Sequence, residues 1–273
     1  MSTSVRAVER ALDILLCFSL EKPTLSLTEI AEQVGMHKST IHRLLATLES
    51  RRFVIRDKAT GMYQLGYLFI ELASIMLQDV DIQHWAQPYL QHLSTESGET
   101  VDLAVLDGDH VIYLQVVESP QRVKIAAAVG QRLPLYCTAT GKAFMAYLSE
   151  DQVGEILSGS LSKYTEHTLV SPADLYQDLR VTRERGFAIS EQEYERDINA
   201  VAGPIMNAQG YPIAVIAIVG PSFRMPYERM LMLGQAIQET TAAITREVGL
   251  AALPAILPKT ANPYVSGYPE QKG

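Results

Sequence analysis

The sequence predicts an α+β protein of two units, a small helical unit closed by a β-hairpin and then a larger unit that mixes strands with helices. Three observations predict it. Apolar residues recur at helical spacing in three successive segments before residue 51, and two short apolar runs around a polar loop follow them. Strand-like runs and further helical patterns share the rest of the chain. The charge divides as well: residues 1–80 hold 9 basic and 9 acidic side chains, the remainder 14 and 22, so the whole net charge of −8 lies beyond residue 80.

The first segment, 5–20, carries Val8, Leu12, Leu15 and Leu16 at helical spacing, and Pro23 cannot continue a helix. Ser26-Leu27-Thr28-Glu29 has the Ser-x-x-Glu capping pattern and opens a second helix to about residue 34, which Gly35-Met36 breaks. A third helix over about 38–50 presents Ile41, Leu44, Leu45 and Leu48 on one face. Phe53-Val54-Ile55-Arg56 and Met62-Tyr63-Gln64-Leu65, around a loop ending in Gly61, read as a hairpin. A helix over about 66–78 is interrupted by Asp79-Val80-Asp81, and another runs over 82–96. Strands are expected over 101–106 and 111–118, joined at Asp107-Gly108-Asp109, and again over 124–129. Helices follow over 141–148, 151–157 and 171–185, the last with proline in its first turn. Strands over 187–190, 199–207 and 213–219 and a long helix over 226–248 close the pattern. The tail, with Pro254, Pro258, Pro263 and Pro269 and little apolar content, is expected to be disordered.

With 273 residues and 47% hydrophobic content, a core is available and wholesale disorder is excluded. Cys17 and Cys137 make no disulfide framework and fit no metal-binding spacing. No apolar run reaches the roughly 18 residues of a membrane span, and the first residues lack the order of a signal peptide, so a cytoplasmic address is expected. The acidic balance argues against nucleic acid only on average. Between residues 36 and 58 the bias reverses: Lys38, Arg43, Arg51, Arg52, Arg56 and Lys58 face only Glu49 and Asp57.

Helix, helix, glycine-containing turn, helix and hairpin is the order of a winged helix-turn-helix. With the apolar face of the third helix buried, 100° per residue puts Ser39, Arg43 and Ala46 on the opposite face, flanked by Lys38, Thr40 and His42. Short polar or basic side chains leave the helix narrow enough for a major groove about 12 Å wide. Arg43 suits a guanine edge, while Ser39, Thr40 and His42 suit phosphates or other base edges. Arg51, Arg52, Arg56 and Lys58 place charge at the helix end and wing, where a duplex backbone would pass. The alternative is a solvated face of a small helical domain.

Here the residues resemble the IclR-type bacterial transcription regulators. The stretch from Val5 to Leu15 is similar to that family's opening helix, and Leu27-Thr28-Glu29-Ile30-Ala31 and the run His37 to Leu45 to its second and recognition helices. Tyr63-Gln64-Leu65-Gly66 resembles the close of the wing, and Thr138-Ala139-Thr140-Gly141-Lys142-Ala143 a turn into a helix. Gly186, Ser190, Glu193, Ala200, Val201, Ala202, Ile205 and Asn207 fit a further signature, from which Met206 departs. The resemblance runs over about 5–249. It implies a winged helix-turn-helix DNA-binding domain over 1–66, a linker helix over 67–80, a GAF-like α/β effector-binding domain over 81–250 and a tail over 251–273. It further implies a double-stranded DNA operator, a small organic-acid effector, and a homodimer or homotetramer. Leu68, Leu72, Ile75 and Met76 on the linker suit either a partner subunit or packing within the chain.

The same resemblance places an effector pocket between Leu133, Ala139, Thr140 and Gly141 on one side and Ser190, Ile198, Ala200, Ala217 and Val219 on the other. Backbone N–H groups where the Gly141 helix starts would suit a carboxylate. Members that take very small keto acids carry more polar residues at the positions of Ser190, Ala200, Ala217 and Val219. A polar ligand group buried without a partner costs about 1–3 kcal/mol, so a ligand with more carbon is expected.

Other chemistries fit less well, and no cofactor, metal or catalytic residue is expected. A phosphate-binding loop needs glycine where Tyr136 stands and Ser or Thr where Ala143 stands. Glu191, Glu193, Glu195 and Asp197 form an acidic run without a histidine nearby, and His84 and His92 are too far apart for a zinc helix. Cys137 has no base supplied by the sequence around it. The remaining alternative is a metabolite-binding enzyme or sensor whose helix-turn-helix makes protein contacts.

Overall fold

In the computed structural model of the chain, residues 5–19, 21–77 and 82–251 are described, and they fall into two units divided between Asp81 and Ile82. The first unit packs around Ile14, Leu25, Ile30, Ile41, Leu45, Leu48, Val54 and Tyr63, all buried. They come from α1 (Arg6–Leu15), β1 (Thr24–Leu25), α2 (Leu27–Val34), α3 (Lys38–Ser50), β2 (Val54–Arg56) and β3 (Tyr63–Leu65), and α4 (Leu68–Leu77) follows. Helix α1 is shorter than its apolar spacing predicts. Its end tightens through the Cys17 N–H to Ile14 carbonyl bond, and the chain turns so that β1 can pair with β3, Thr24 opposite Gln64 and Leu25 opposite Tyr63. At two residues, β1 is too short to show a period in the sequence.

The local chemistry of α2 and α3 sets the turn between them. Ser26 Oγ accepts from the Glu29 N–H at 3.2 Å while Glu29 Oε2 accepts from the Ser26 N–H at 2.7 Å, a complete capping box. Gly35 ends α2 at φ +69°, and His37 caps α3 by accepting from the Ser39 N–H. At the far end of α3, Arg52 sits at φ +66°, its N–H bonded to the Glu49 carbonyl and that of Phe53 to the Leu48 carbonyl. That is a Schellman ending made without glycine. The hairpin then closes on this turn: a Cβ on Gly66 would lie 2.0 Å from the Arg52 carbonyl oxygen, so only glycine fits.

The second unit is a six-stranded antiparallel sheet in the order β6-β5-β4-β9-β8-β7, formed by β4 (Thr100–Asp107), β5 (His110–Val117), β6 (Arg132–Pro134), β7 (Ala188–Glu191), β8 (Ile198–Met206) and β9 (Pro212–Pro221). Both faces are covered. Val101, Leu103, Val201, Ile216 and Ile218 share a core with residues of α5 (Ile82–Ser97) and α9 (Tyr227–Ala251). Ala104, Ala202, Val215 and Ala217 point the other way, toward α6 (Ala139–Met145), α7 (Glu150–Leu157) and α8 (Pro172–Arg185). Alternation along each strand produces this split.

One expected strand is absent: 124–129 forms no ladder, and β6 lies further on. Gly130 at φ +84° turns the chain, its N–H bonded to the Tyr113 carbonyl, and the Gln131 carbonyl accepts from the Tyr113 N–H. The apolar run before it is held instead by the Thr100 hydroxyl, which donates to the Ile125 carbonyl at 3.3 Å. The expected disordered tail, 251–273, lies outside the described residues apart from Ala251, as do the end of the linker at 78–81 and the side chains of Ile75 and Met76.

Helix α6 approaches β6 so closely that a Cβ on Gly141 would stand 2.2 Å from the Leu135 carbonyl oxygen. Gly141→Ala should lower the unfolding free energy by about 1–3 kcal/mol in a urea melt. Gly159→Ala, where the nearest atom is 3.9 Å away, should stay within about 0.5 kcal/mol of the parent.

Candidate nucleic-acid interface and ligand pocket

In the first unit, burial of Ile41, Leu45 and Leu48, with Leu44 half-buried, leaves Lys38, Ser39, His42, Arg43 and Ala46 exposed and Thr40 half-buried on α3. The Ser39 hydroxyl lies 2.8 Å from His37 Nδ1, which orders the first turn of that face. Arg51 caps the helix and is exposed. Arg56 lies in β2 with its guanidinium 5.6 Å from the centre of the Tyr63 ring, and Lys58 is exposed in the hairpin loop. That loop is shaped by Asp57, whose Oδ1 accepts from the Ala59 and Thr60 N–H groups, holding its carboxyl below the usual range. Arg52 is used differently from its neighbours. Its guanidinium is 2.5 Å from Glu71 on α4, so it ties the end of α3 to the helix that follows. Among the described residues, Lys38, Arg43, Arg51 and Lys58 have no carboxylate partner.

In the second unit, a cavity of about 610 Å³, open mouth included, lies between the sheet and the start of α6. Leu133, Ala139, Thr140, Ser190, Ile198, Ala200, Ala217 and Val219 all line it. The register explains their meeting: Ala200 pairs with Ser190 on one side and Val219 on the other, and Ala217 pairs with Asp102. Gly141 does not line the cavity. Its N–H donates to Thr138 Oγ1 at 3.0 Å and that of Lys142 to the Thr138 carbonyl, so the cap claims those donors and the glycine serves the approach to Leu135.

Several lining residues lie outside the positions read from the sequence: Asp102 on β4, Tyr113 on β5, Ile125, Ala126, Ala127, Gln131 and Thr138 on the crossing segments, and Tyr194 and Glu195 between β7 and β8. Asp102 had a signal of its own. It is the one charged residue in the run Val101 to Leu106, in a strand whose two faces are both covered. Burial pushes its carboxyl well above the usual range, and burial likewise raises Tyr113.

The acidic run between β7 and β8 disperses. Glu193 turns inward to Lys142 Nζ at 2.6 Å, while Glu195 stays exposed at the cavity edge. Lys142 is 1% exposed and also lies 3.0 Å from Asp178 on α8. Desolvation pulls its ammonium down, but the two carboxylates outweigh that and hold it above its ordinary value. Cys137 is sealed in the core with its thiol pushed up to about 12 by burial, the opposite of an activated nucleophile.

Residues 74–246 match the family model described as "Bacterial transcriptional regulator IclR C-terminal", and residues 7–58 match that described as "IclR helix-turn-helix domain". The chain belongs to the IclR family. It is 34% identical over 248 residues to the transcriptional repressor IclR of Escherichia coli K12, covering 90% of each chain. The regulator XynR of the same organism is 31% identical over 249 residues, 91% of this chain and 99% of that one. Among solved structures, the Thermotoga maritima IclR superposes with a TM-score of 0.74 at 31% identity, covering 89% of this chain and 98% of that one. An IclR homologue from Microbacterium hydrocarbonoxydans, solved with 4-hydroxybenzoate, shares the fold with a TM-score of 0.80 at 22% identity and the same coverage. These relatives are regulators and repressors rather than enzymes, and this IclR-family chain is a transcriptional regulator with an N-terminal helix-turn-helix and a C-terminal α/β domain. No helix of the described residues is long and apolar enough to cross a membrane.

Lys142→Met should cost about 3–5 kcal/mol of stability, because it strands Glu193 beside Asp178 without a counter-charge. Asp102→Asn should do the reverse, and with a defined pH dependence. The raised Asp102 carboxyl favours the fold only below its ordinary value of 3.8 and loses that contribution as pH rises toward its folded value. The melting temperature of Asp102→Asn should therefore pull further above that of the parent as pH rises from about 4. A gap that stays constant or narrows would refute the assignment.

Proposed function

We propose that this regulator reads a duplex operator with α3 in the major groove, contacts the flanking backbone with its wing, and is controlled by a small effector held in the cavity of the second unit. The observation that carries the reading is the face of α3. It is opposite an apolar face buried at Ile41, Leu45 and Leu48, and its Lys38, Ser39, His42 and Arg43 are exposed. Arg43 takes a guanine edge, and Lys38, Ser39, Thr40 and His42 serve phosphates or neighbouring bases. Arg51, Arg56 and Lys58 meet the backbone, and Arg52 contributes chiefly through its tie to Glu71. The residues 1–66 act as reader, 67–80 as linker and 81–250 as effector domain, working in the cytoplasm.

The functional form is a homo-oligomer, dimer or tetramer. Val5, Val8, Leu12 and Leu16 form an exposed apolar stripe along α1, Leu16 being 81% exposed, and Tyr67 and Leu72 are further exposed apolar residues on and before α4. Control follows from differential affinity: the effector binds one arrangement of the second units better, and the linkers pass that preference to the paired readers. The cavity walls, built from Leu133, Ala139, Ile198, Ala200, Ala217 and Val219, favour a ligand with a substantial carbon body. For the organic acid that the family resemblance implies, the cavity provides hydroxyl donors from Thr140 and Ser190, yet among its described lining residues no lysine, arginine or histidine.

Anisotropy titrations on the chain's own upstream DNA test the reading. Arg43→Ala should cost about 1–3 kcal/mol and relax discrimination at one base position, whereas Lys58→Ala should weaken all sequences alike and reduce the salt slope by about one unit. Binding indifferent to both substitutions would overturn it.

A further inference from the structure

The carboxyl of Asp102 is fully buried, and neither of its oxygens meets a hydrogen-bond donor on the protein among the described residues. On β4 it is flanked by Val116 and Ala217, and it shares the strand face of Ala104, toward α6 and into the cavity. A sealed carboxyl without a partner is an expensive feature, and such groups are retained where something else supplies the partner. The surroundings say what charge that partner carries. Among the described lining residues there is no lysine, arginine or histidine, and a second carboxylate, Glu195, stands at the edge. Lys142, one turn along α6, is committed to Glu193 and Asp178. The side chains of Tyr113 and Tyr194 line the same space, and aromatic faces attract cations. A carboxylate ligand would meet two carboxyls and no side-chain cation, whereas an ammonium would meet Asp102 within and Glu195 at the edge, with apolar wall for the rest of the ligand.

We propose that the effector carries a primary amine, held as an ammonium ion by Asp102, on an apolar or aromatic body. This rests on the reading of the cavity as the effector site. Tyr113 from β5 is the titratable group that interacts with Asp102, and Tyr194 and Glu195 from the segment between β7 and β8 line the same cavity. Burial holds both tyrosines above their ordinary values, so they stay neutral while Asp102 titrates. The ligand arrives already protonated, Asp102 gives its own proton to solvent, and the two form an ion pair. A proton therefore leaves on amine binding wherever Asp102 is protonated in the free protein.

The test uses the full chain with probes matched in shape and different in charge: phenethylamine, phenylacetate and 2-phenylethanol, then tyramine, 4-hydroxyphenylacetate and tyrosol. Melting shifts and calorimetry in buffers of different ionisation enthalpy read the outcome. An amine should bind at least about tenfold tighter than its acid and alcohol, release protons that Asp102→Asn does not release, and lose at least about tenfold in Asp102→Asn. The Asp102→Asn protein without ligand should melt no lower than the parent, which separates lost recognition from lost fold. An acid or alcohol that binds as tightly as its amine, or an amine indifferent to Asp102→Asn, overturns the amine assignment and leaves the effector site standing. If no probe of any charge binds, both fall, while the DNA titrations remain an independent measure of the reader.

Discussion

The ammonium of Lys142 holds two walls of the second unit's cavity in place. It is buried between Glu193 at 2.6 Å and Asp178 at 3.0 Å, which joins the short helix α6 to α8 and to the segment after β7. That segment carries Tyr194 and Glu195 on one side of the cavity, and α6 begins with Ala139 and Thr140 on another. A charge so deep is tolerated only because two carboxylates and good geometry compensate its desolvation. The contact also depends on Gly141, since any side chain there would collide with Leu135. The Thr165 and Thr168 hydroxyls reinforce the arrangement by donating to the carbonyls of Gln192 and Glu193, each at 2.6 Å.

Charge is organised on two scales. Across the chain, the first 80 residues are balanced and the acidic excess lies beyond them. Lys38, Arg43, Arg51, Arg56 and Lys58 are exposed on the first unit, so the local charge there is positive although the chain as a whole is acidic. Within that second unit the buried charges have distinct roles. Lys142 is neutralised internally, Glu99 is paired with Arg224 at 2.7 Å, and Asp102 alone of these is left facing a cavity without a partner. A single buried carboxyl thus gives the pocket a sign that overall composition does not reveal.

How much was legible in the sequence follows the range of the forces involved. The capping box at Ser26 and Glu29, the break at Gly35, the apolar face of α3 and the hairpin around Asp57 are local, and each was readable from neighbouring residues. The Schellman turn at Arg52 was not, because it lacks the glycine that normally marks one, and its need for Gly66 arises from contact across the hairpin. The run 124–129 is apolar enough for a strand, but Gly130 and the bonds to Tyr113 make it a cavity wall. The family resemblance implies most of the pocket positions but not Asp102, because both faces of its strand must be known before its lone charge in an apolar run has meaning.

The sequence alone determined the order of elements, the two units, and the polar, basic face of α3, because periodicity, capping and charge act over a few residues. The tertiary structure alone decided which side chains share a cavity and which charges cancel. Those outcomes depend on register across six strands, on a glycine-permitted approach of α6 to Leu135, and on desolvation, none of which is a property of any short stretch of chain.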